Sequence, residues 1–351
     1  MSAPLDIALS ETLSKPLGLA DLRAAARTVH AAMPATPQYR WPLLEAALGA
    51  PAGDGTELWV KHENHTPVGA FKVRGGLVYF DRLMRGGPRP AGVVSATRGN
   101  HGQSVALAAR AHGLPVLIVV PHGNSTEKNA AMRALGAELL EHGDDFQAAR
   151  EHAAHLARER GWQMVPSFHA DLVAGVASYA LELLGAQPDL HTVYVPIGMG
   201  SGACGLVAAR DALGLSCEVV GVVSTGAPAY ALSIAQRKCV EHAVTTQLAD
   251  GMACRSPDQA ALDLLIPGLA RVVSVSDDEV AQAMRVLFEC THQVAEGAGA
   301  AALAAVMQEA RGPHASRVHG RRNAIVLSGG NVDRSVYARV LDGTAPAQVP
   351  I

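Results

Sequence analysis

The sequence predicts an α/β protein with open, mostly parallel twisted sheets flanked by helices. Three observations predict it. Short runs rich in valine and isoleucine alternate with alanine- and leucine-rich segments of helical period. Several of the helical segments stop at a glycine, the usual carboxyl-terminal end of a helix. Three of the strand-like runs are followed at once by a glycine-rich polar turn, the place where open α/β sheets bind ligands.

From the amino terminus, buried strands are expected at 57–63 (ELWVKHE), 91–96 (AGVVSA), 115–120 (PVLIVV), 192–197 (TVYVPI), 217–223 (CEVVGVV) and 323–328 (NAIVLS). Helices are expected at 102–113, 126–136, 145–161 and 203–214, where small and apolar residues recur at helical spacing. Strands separated by helices pair in parallel, because a crossover must return the chain to the same end of the sheet. No internal repeat, low-complexity tract or long linker interrupts the chain. The expected division is a large domain of 1–85 and 169–351 and a smaller inserted domain of 86–168, which carries the Thr97–Gln103 loop.

The 351 residues are 49% hydrophobic and 17% charged, enough apolar material for two cores. A net charge of −3 with no basic block argues against nucleic acid or an anionic membrane surface as partner. The longest apolar runs are strand-length, too short to span a bilayer. The start, MSAPLDIALSETLSKPLGLADL, lacks the basic-then-apolar order of a secretion signal. Five scattered cysteines show no metal spacing and read as reduced thiols, so a cytoplasmic protein is expected.

The glycine-rich turn VPIGMGSGACG places Gly198, Gly200 and Gly202 between a strand and a helix. Glycines let backbone N–H groups crowd around an anion, and a helix start adds its positive end, so a phosphate is the natural guest. The spacing also fits a variant of the dinucleotide fingerprint, which needs an acid at the end of the next strand to hold a ribose. That strand has only Glu218, at its beginning, so a nicotinamide-dependent oxidoreductase is disfavoured. A tight turn with no ligand is the plain alternative.

Earlier in the chain, TPVGAFKVRGG sets Lys72 between a phenylalanine and a basic turn, either as a surface lysine at a helix start or as a reactive amine. Three segments together, KHENHTPVGAFKVRGG, SATRGNHGQSVALAA and VLSGGNVD, with the glycine turn between the last two, carry a resemblance. They resemble the fold-type-II pyridoxal-phosphate enzymes, in order and spacing, over about residues 36–335. The nearest branch is that of the serine and threonine dehydratases, which includes serine racemase. The resemblance implies the two-domain architecture of the tryptophan synthase β-like fold and pyridoxal 5'-phosphate as cofactor.

The resemblance further implies a role for each matching residue. Lys72 forms the Schiff base with the cofactor aldehyde, which suits an amine that sheds its charge when desolvated, and Phe71 packs beside the ring. Asn100 bonds the ring hydroxyl. The loop Gly198, Met199, Gly200, Ser201 and Gly202 holds the phosphate through its backbone, although Met199 and Ser201 depart from the run of glycines usual in the dehydratases. Ser328 faces the ring nitrogen; a hydroxyl there makes the ring a weaker electron sink than a carboxylate does, which favours β-elimination. Glu296 matches a glutamate near the cofactor and equally reads as a helix-start acid complementing the dipole. The turn of Thr97, Arg98, Gly99 and His101 binds the substrate carboxylate. His101 reads more simply as a residue shaping that turn, and Arg98 equally as a member of a surface salt bridge.

Departures limit what is carried over. Serine racemase has a serine where this chain has Arg98, and a guanidinium is too weak an acid to exchange protons as racemisation requires. The divalent-metal site of some relatives falls here on Val223, Ala227 and Ala229, which offer no carboxylate, so no metal is expected. The sequence runs about twenty residues past SGGNVD, so no carboxyl-terminal effector domain is expected. A β-replacement synthase of the same fold is disfavoured because RGNHGQ is the dehydratase form of its loop.

The expected activity is dehydration of a β-hydroxy-α-amino acid to a 2-oxo acid and ammonia. Serine, threonine, phenylserine and hydroxyaspartate all fit. Thr66 and Ala70 replace the residues common in threonine dehydratases and are expected to reshape the side-chain pocket, which favours a substrate such as phenylserine. The family association is usually a homodimer.

Overall fold

The computed structural model describes residues 17–51 and 53–344. The stretch 1–16, within which no secretion signal is expected, lies outside them. Ten strands form two sheets: β1 (Gln38–Arg40), β2 (Glu57–His62), β3 (Val93–Ala96), β4 (Val116–Val120), β5 (Glu138–Glu141), β6 (Gln163–Met164), β7 (Thr192–Pro196), β8 (Glu218–Ser224), β9 (Arg271–Val275) and β10 (Arg322–Leu327). The larger sheet has the order β1-β2-β10-β7-β8-β9 and is parallel except for β1, which pairs antiparallel with β2. The smaller sheet, β5-β4-β3-β6, is parallel throughout and lies within residues 93–164.

The strand runs are apolar throughout because helices cover both faces of each sheet. Successive side chains point to opposite faces. In the larger sheet Val193, Val195, Ala324 and Val326 join the core under helices Leu19–Ala32, Ala170–Ala186 and Ser201–Ala212. Their neighbours Tyr194, Ile325 and Leu327 face helices Asp277–Thr291 and Gly297–Arg311 instead. In the smaller sheet Val93, Val116 and Ile118 pack on helix Asn100–Ala111, while Val94, Leu117 and Val119 pack on Ala149, Ala153 and Ala157 of helix Phe146–Arg160.

The helix that begins at Lys72, Lys72–Arg85, joins the two sheets and is fixed by a buried charge network two residues into its first turn. The Arg74 guanidinium donates to Glu63 at 2.7 Å and to Glu182 at 2.6 Å, and Glu182 also receives Lys61. All four side chains are at least nine-tenths buried. Two cations and two carboxylates balance, which is the condition under which such charges can be buried at all. Among the described residues no helix is long and apolar enough to cross a membrane.

Candidate active site

Parallel strands all end on one side, so the turns after them collect there. The turn after β3, the glycine turn after β7 and the residue after β10 meet the start of helix Lys72–Arg85 in one cleft. Phe71, Lys72, Asn100, the loop Gly198–Gly202, Glu296 and Ser328 all line it, around about 380 Å³ of space, part of it open to solvent. Ser328 lies beside Lys72 because its carbonyl accepts from Phe71 N at 3.0 Å and Gly329 bridges to Ala70. Its hydroxyl donates weakly to Ala298 O at 3.4 Å.

Of the five lysines, Lys61 and Lys128 are buried and each is paired with a carboxylate. Lys72 is half-buried and has no ion pair among the described residues; its Nζ lies 5.1 Å from the centre of the Phe71 ring. Desolvation in the walled cleft lowers its pKa to about 8, with the Glu296 carboxylate pulling the other way. At pH 7 about one amine in ten is then unprotonated, against about one in 3,000 for an ordinary lysine. An unpaired amine of low basicity is what attack on an aldehyde needs. Capture of added pyridoxal phosphate by apo-protein should therefore speed up with pH, reach half its limit near pH 8 and level off above about pH 9. A rate still climbing steadily to pH 10 would show that Lys72 keeps ordinary basicity.

The glycine turn forms a cradle that side chains would fill. A Cβ on Gly198 would lie 2.3 Å from the Gly251 carbonyl oxygen. Gly200 has φ +99°, and a Cβ there would lie 2.9 Å from the Ala261 side chain. Tyr230 holds the turn from behind, donating its hydroxyl to Met199 O at 2.9 Å. Helix Ser201–Ala212 starts here, and the N–H groups of its first turn have no carbonyl four residues back. Free N–H groups at a helix start, beside an unpaired amine and an aromatic ring, fit a phosphorylated aromatic aldehyde.

Asn100 and Glu296 touch. Asn100 Nδ2 donates to Glu296 Oε1 at 2.5 Å, and Asn331 Nδ2 donates to Asn100 Oδ1 at 2.9 Å. Glu296 stands at the N-cap of helix Gly297–Arg311 but its side chain makes no capping bond; it turns into the cleft instead. Burial raises its pKa, and the nearby Lys128 ammonium opposes this.

The turn of Thr97 to His101 is more varied. Thr97 is buried and its hydroxyl accepts from Gly99 N at 3.0 Å and Gly102 N at 3.3 Å, so it stitches the turn. Gly99 is the N-cap of helix Asn100–Ala111, whose amino end opens towards the cleft. Arg98 is exposed and has no ion pair among the described residues. The His101 ring turns away from the turn's open side into a small recess behind Lys72, with Ser167 and Ser201. Burial, with Lys72 adding to it, lowers its pKa to about 3, and its Nε2 has no partner among the described residues. A neutral imidazole there can accept a proton-sharing contact but cannot act as an acid.

One expected feature looks different in the structure. The Thr66 hydroxyl donates to Ala70 O at 2.8 Å and accepts from Ala70 N at 2.9 Å, so both residues close the turn before Lys72 and neither lines the cleft. They give no ground for an enlarged side-chain pocket. Glu218, the only acid of β8, stands at the strand's start, as the sequence indicates, and is ion-paired with Arg271. Val223, Ala227 and Ala229 are buried apolar side chains.

Sequence reasoning missed Lys128 and Asp250. The Lys128 ammonium is 2.7 Å from Asp250 Oδ2 and 3.2 Å from Glu296 Oε2, at the rim of the cleft. No motif surrounds either residue, and only the fold brings them together.

The fold and the site define a pyridoxal-phosphate enzyme, and comparison with known proteins agrees: the chain belongs to the family described as pyridoxal-phosphate dependent enzymes, matched over residues 33–329. Relatives within that family include an L-threonine ammonia-lyase and a biosynthetic L-threonine dehydratase. It is 33% identical to the L-threonine ammonia-lyase of Thermotoga maritima over 289 residues, 82% of this chain and 70% of that one. It is 32% identical to the biosynthetic L-threonine dehydratase of Haemophilus influenzae, of whose length it spans 53%. A solved pyridoxal-phosphate-dependent aspartate racemase superimposes with a TM-score of 0.82 at 28% identity, covering 91% of this chain and 97% of that one. The protein is a pyridoxal-phosphate-dependent carbon–oxygen lyase of the serine/threonine dehydratase branch.

Proposed function

We propose that the substrate is a β-hydroxy-α-amino acid with a small side chain, threonine or serine, converted to its 2-oxo acid and ammonia. The observation that carries this is the turn before Lys72: Thr66 and Ala70 bond to each other and neither lines the cleft, so neither widens it. The names of the relatives point the same way.

When bound, pyridoxal phosphate supplies an electrophilic carbon for the substrate amine and a ring that takes up the electron pair left at Cα. The backbone N–H groups of Met199 to Gly202 hold the phosphate, and Phe71 walls off water from the ring. The amino end of helix Asn100–Ala111 receives the substrate carboxylate, and Thr97 keeps that turn in shape. Lys72 Nζ takes the proton from Cα, for which its lowered basicity suits it near neutral pH. The β-hydroxyl leaves with a proton as water, and hydrolysis of the released enamine consumes one water and frees ammonia. Ser328 would face the ring nitrogen, where a hydroxyl offers no negative charge to keep it protonated, and that would favour loss of the β-hydroxyl over a stored carbanion. The expectation that goes with this reading is a homodimer in the cytoplasm, which light scattering and fractionation test.

The direct test is incubation with threonine, serine, phenylserine and threo-hydroxyaspartate, following 2-oxo acid and ammonia in equal amounts. Threonine or serine should give the highest kcat/KM, by about tenfold or more over phenylserine, since a ring that does not fit costs at least as much as a few methylenes do. A preference for phenylserine would overturn the small-substrate reading. Likeness to an aspartate racemase raises a second reading, in which protons are returned to the opposite face of Cα. Arg98 cannot supply such a proton. Unreacted L-serine recovered from the incubation should therefore stay enantiomerically pure; accumulation of D-serine would favour the racemase.

A further inference from the structure

Lys128 is a buried cation, paired with the cleft-lining Glu296, that the reaction above does not use. It is 6% exposed and comes from helix Thr126–Ala134 of the smaller sheet. Both its partners belong to the larger sheet's side: Asp250 in a short 3-10 turn, and Glu296 before helix Gly297–Arg311. The residues after Asp250, Gly251 and Met252, line the cleft, and the Gly251 carbonyl is the atom against which Gly198 packs. Glu296 carries Asn100. The stem of Lys128 fills the place next to Gly99, where an added Cβ would lie 2.4 Å from Lys128 Cδ.

We propose that Lys128 is a positioning residue for the cofactor cleft: its single ammonium, drawn to Asp250 and Glu296 at once, sets the wall of the glycine turn, the Asn100–Glu296 pair and the Thr97–Asn100 turn in register. The same helix start is tied to the larger sheet's loops at two further points. Ser125 donates to Asp333, and Arg334 N donates to Glu127 Oε1 at 2.8 Å. Those ties hold the helix to its neighbour, but only Lys128 reaches residues that line the cleft. One cation between two carboxylates also explains why Glu296 can face the cleft with its Oε2 lacking any hydrogen bond of good geometry: the ammonium 3.2 Å away supplies the counter-charge. This inference rests on the pyridoxal-phosphate site and not on the choice of substrate.

The experiment is a double-mutant cycle on apo-protein, read as the dissociation constant for pyridoxal phosphate by absorbance titration, with thermal midpoints as a check on folding. K128M and D250N should each raise that constant by roughly tenfold or more, because each strips a buried or half-buried charge of a partner. K128M/D250N should raise it by clearly less than the product of the two. The visible band of loaded K128M should also shift from the parental position, which loss of stability alone would not cause. Parental constants and band in the single variants, or single effects that simply multiply in the double, would overturn the proposal. If K128M does not fold, D250N decides, since a parental constant and band in D250N would equally overturn it. A parent that binds no cofactor would instead count against the site as a whole.

Discussion

Lys72→Ala should lower ammonia-lyase turnover by about 10³-fold or more and leave the protein without the visible band of bound cofactor. Two functions are lost together in that variant, the covalent hold on the cofactor and the base at Cα. The loss should fall on kcat at saturating cofactor rather than on stability. Removing a half-buried amine that has no ion pair costs the fold only its contact with the Phe71 ring and relieves its desolvation, so the thermal midpoint of apo-protein should stay close to the parental value. Part of the rate should return on addition of a small primary amine, which can occupy the emptied space and take the proton. A variant that keeps more than a tenth of parental turnover would move the base to another residue.

Gly198→Ala should weaken pyridoxal phosphate binding by roughly 5- to 150-fold. The added methyl would sit 2.3 Å from the Gly251 carbonyl oxygen, and backbone on both sides has to move to admit it. Overpacking of this kind costs about 1–3 kcal/mol, which at equilibrium is the stated range. The turn that has to move carries the N–H groups proposed to hold the phosphate, so the cost should appear in cofactor affinity. Gly202→Ala is the internal control for folding: a Cβ there meets the Phe71 ring at 3.5 Å and the Val195 side chain at 3.8 Å, both ordinary contacts. Apo-protein thermal midpoints should fall in G198A and hold in G202A. Equal midpoints and equal affinities in both variants would mean that the turn is not held against Gly251 as the structure shows.

Legibility differed from one part of the chain to another for physical reasons. The central strands β2, β3, β4, β7, β8 and β10 could be read because both their faces are buried, which makes them continuous apolar runs. The edge strands β1 (QYR), β5 (ELLE) and β6 (QM) could not, because one side faces water and their composition is that of loops. Helix Asp277–Thr291 has a full capping box, Ser276 with Glu279, that was available to sequence reasoning and went unused. At the site, the glycine turn and Lys72 were legible because their chemistry constrains neighbouring positions, Gly198 to Gly202 and Phe71 to Lys72. Glu296 was ambiguous because an acid before a helix has a local explanation; only the fold shows its carboxylate turned to Asn100 rather than to the helix start. Thr66 and Ala70 misled, since a pair of small residues close to Lys72 in sequence suggests a pocket wall, and the structure spends them on a turn. Lys128 and Asp250 were invisible: 122 residues separate them, and neither has a neighbour that marks it.

The central claim is that Lys72, alone of the five lysines, holds the cofactor. Borohydride reduction of the loaded protein turns that linkage into a stable secondary amine, and peptide mass spectrometry then locates it. The account predicts one pyridoxyl-phosphate group per chain, on the peptide containing Lys72. A label on Lys61, Lys128 or Lys238, or none at all in protein that is visibly loaded, would contradict it.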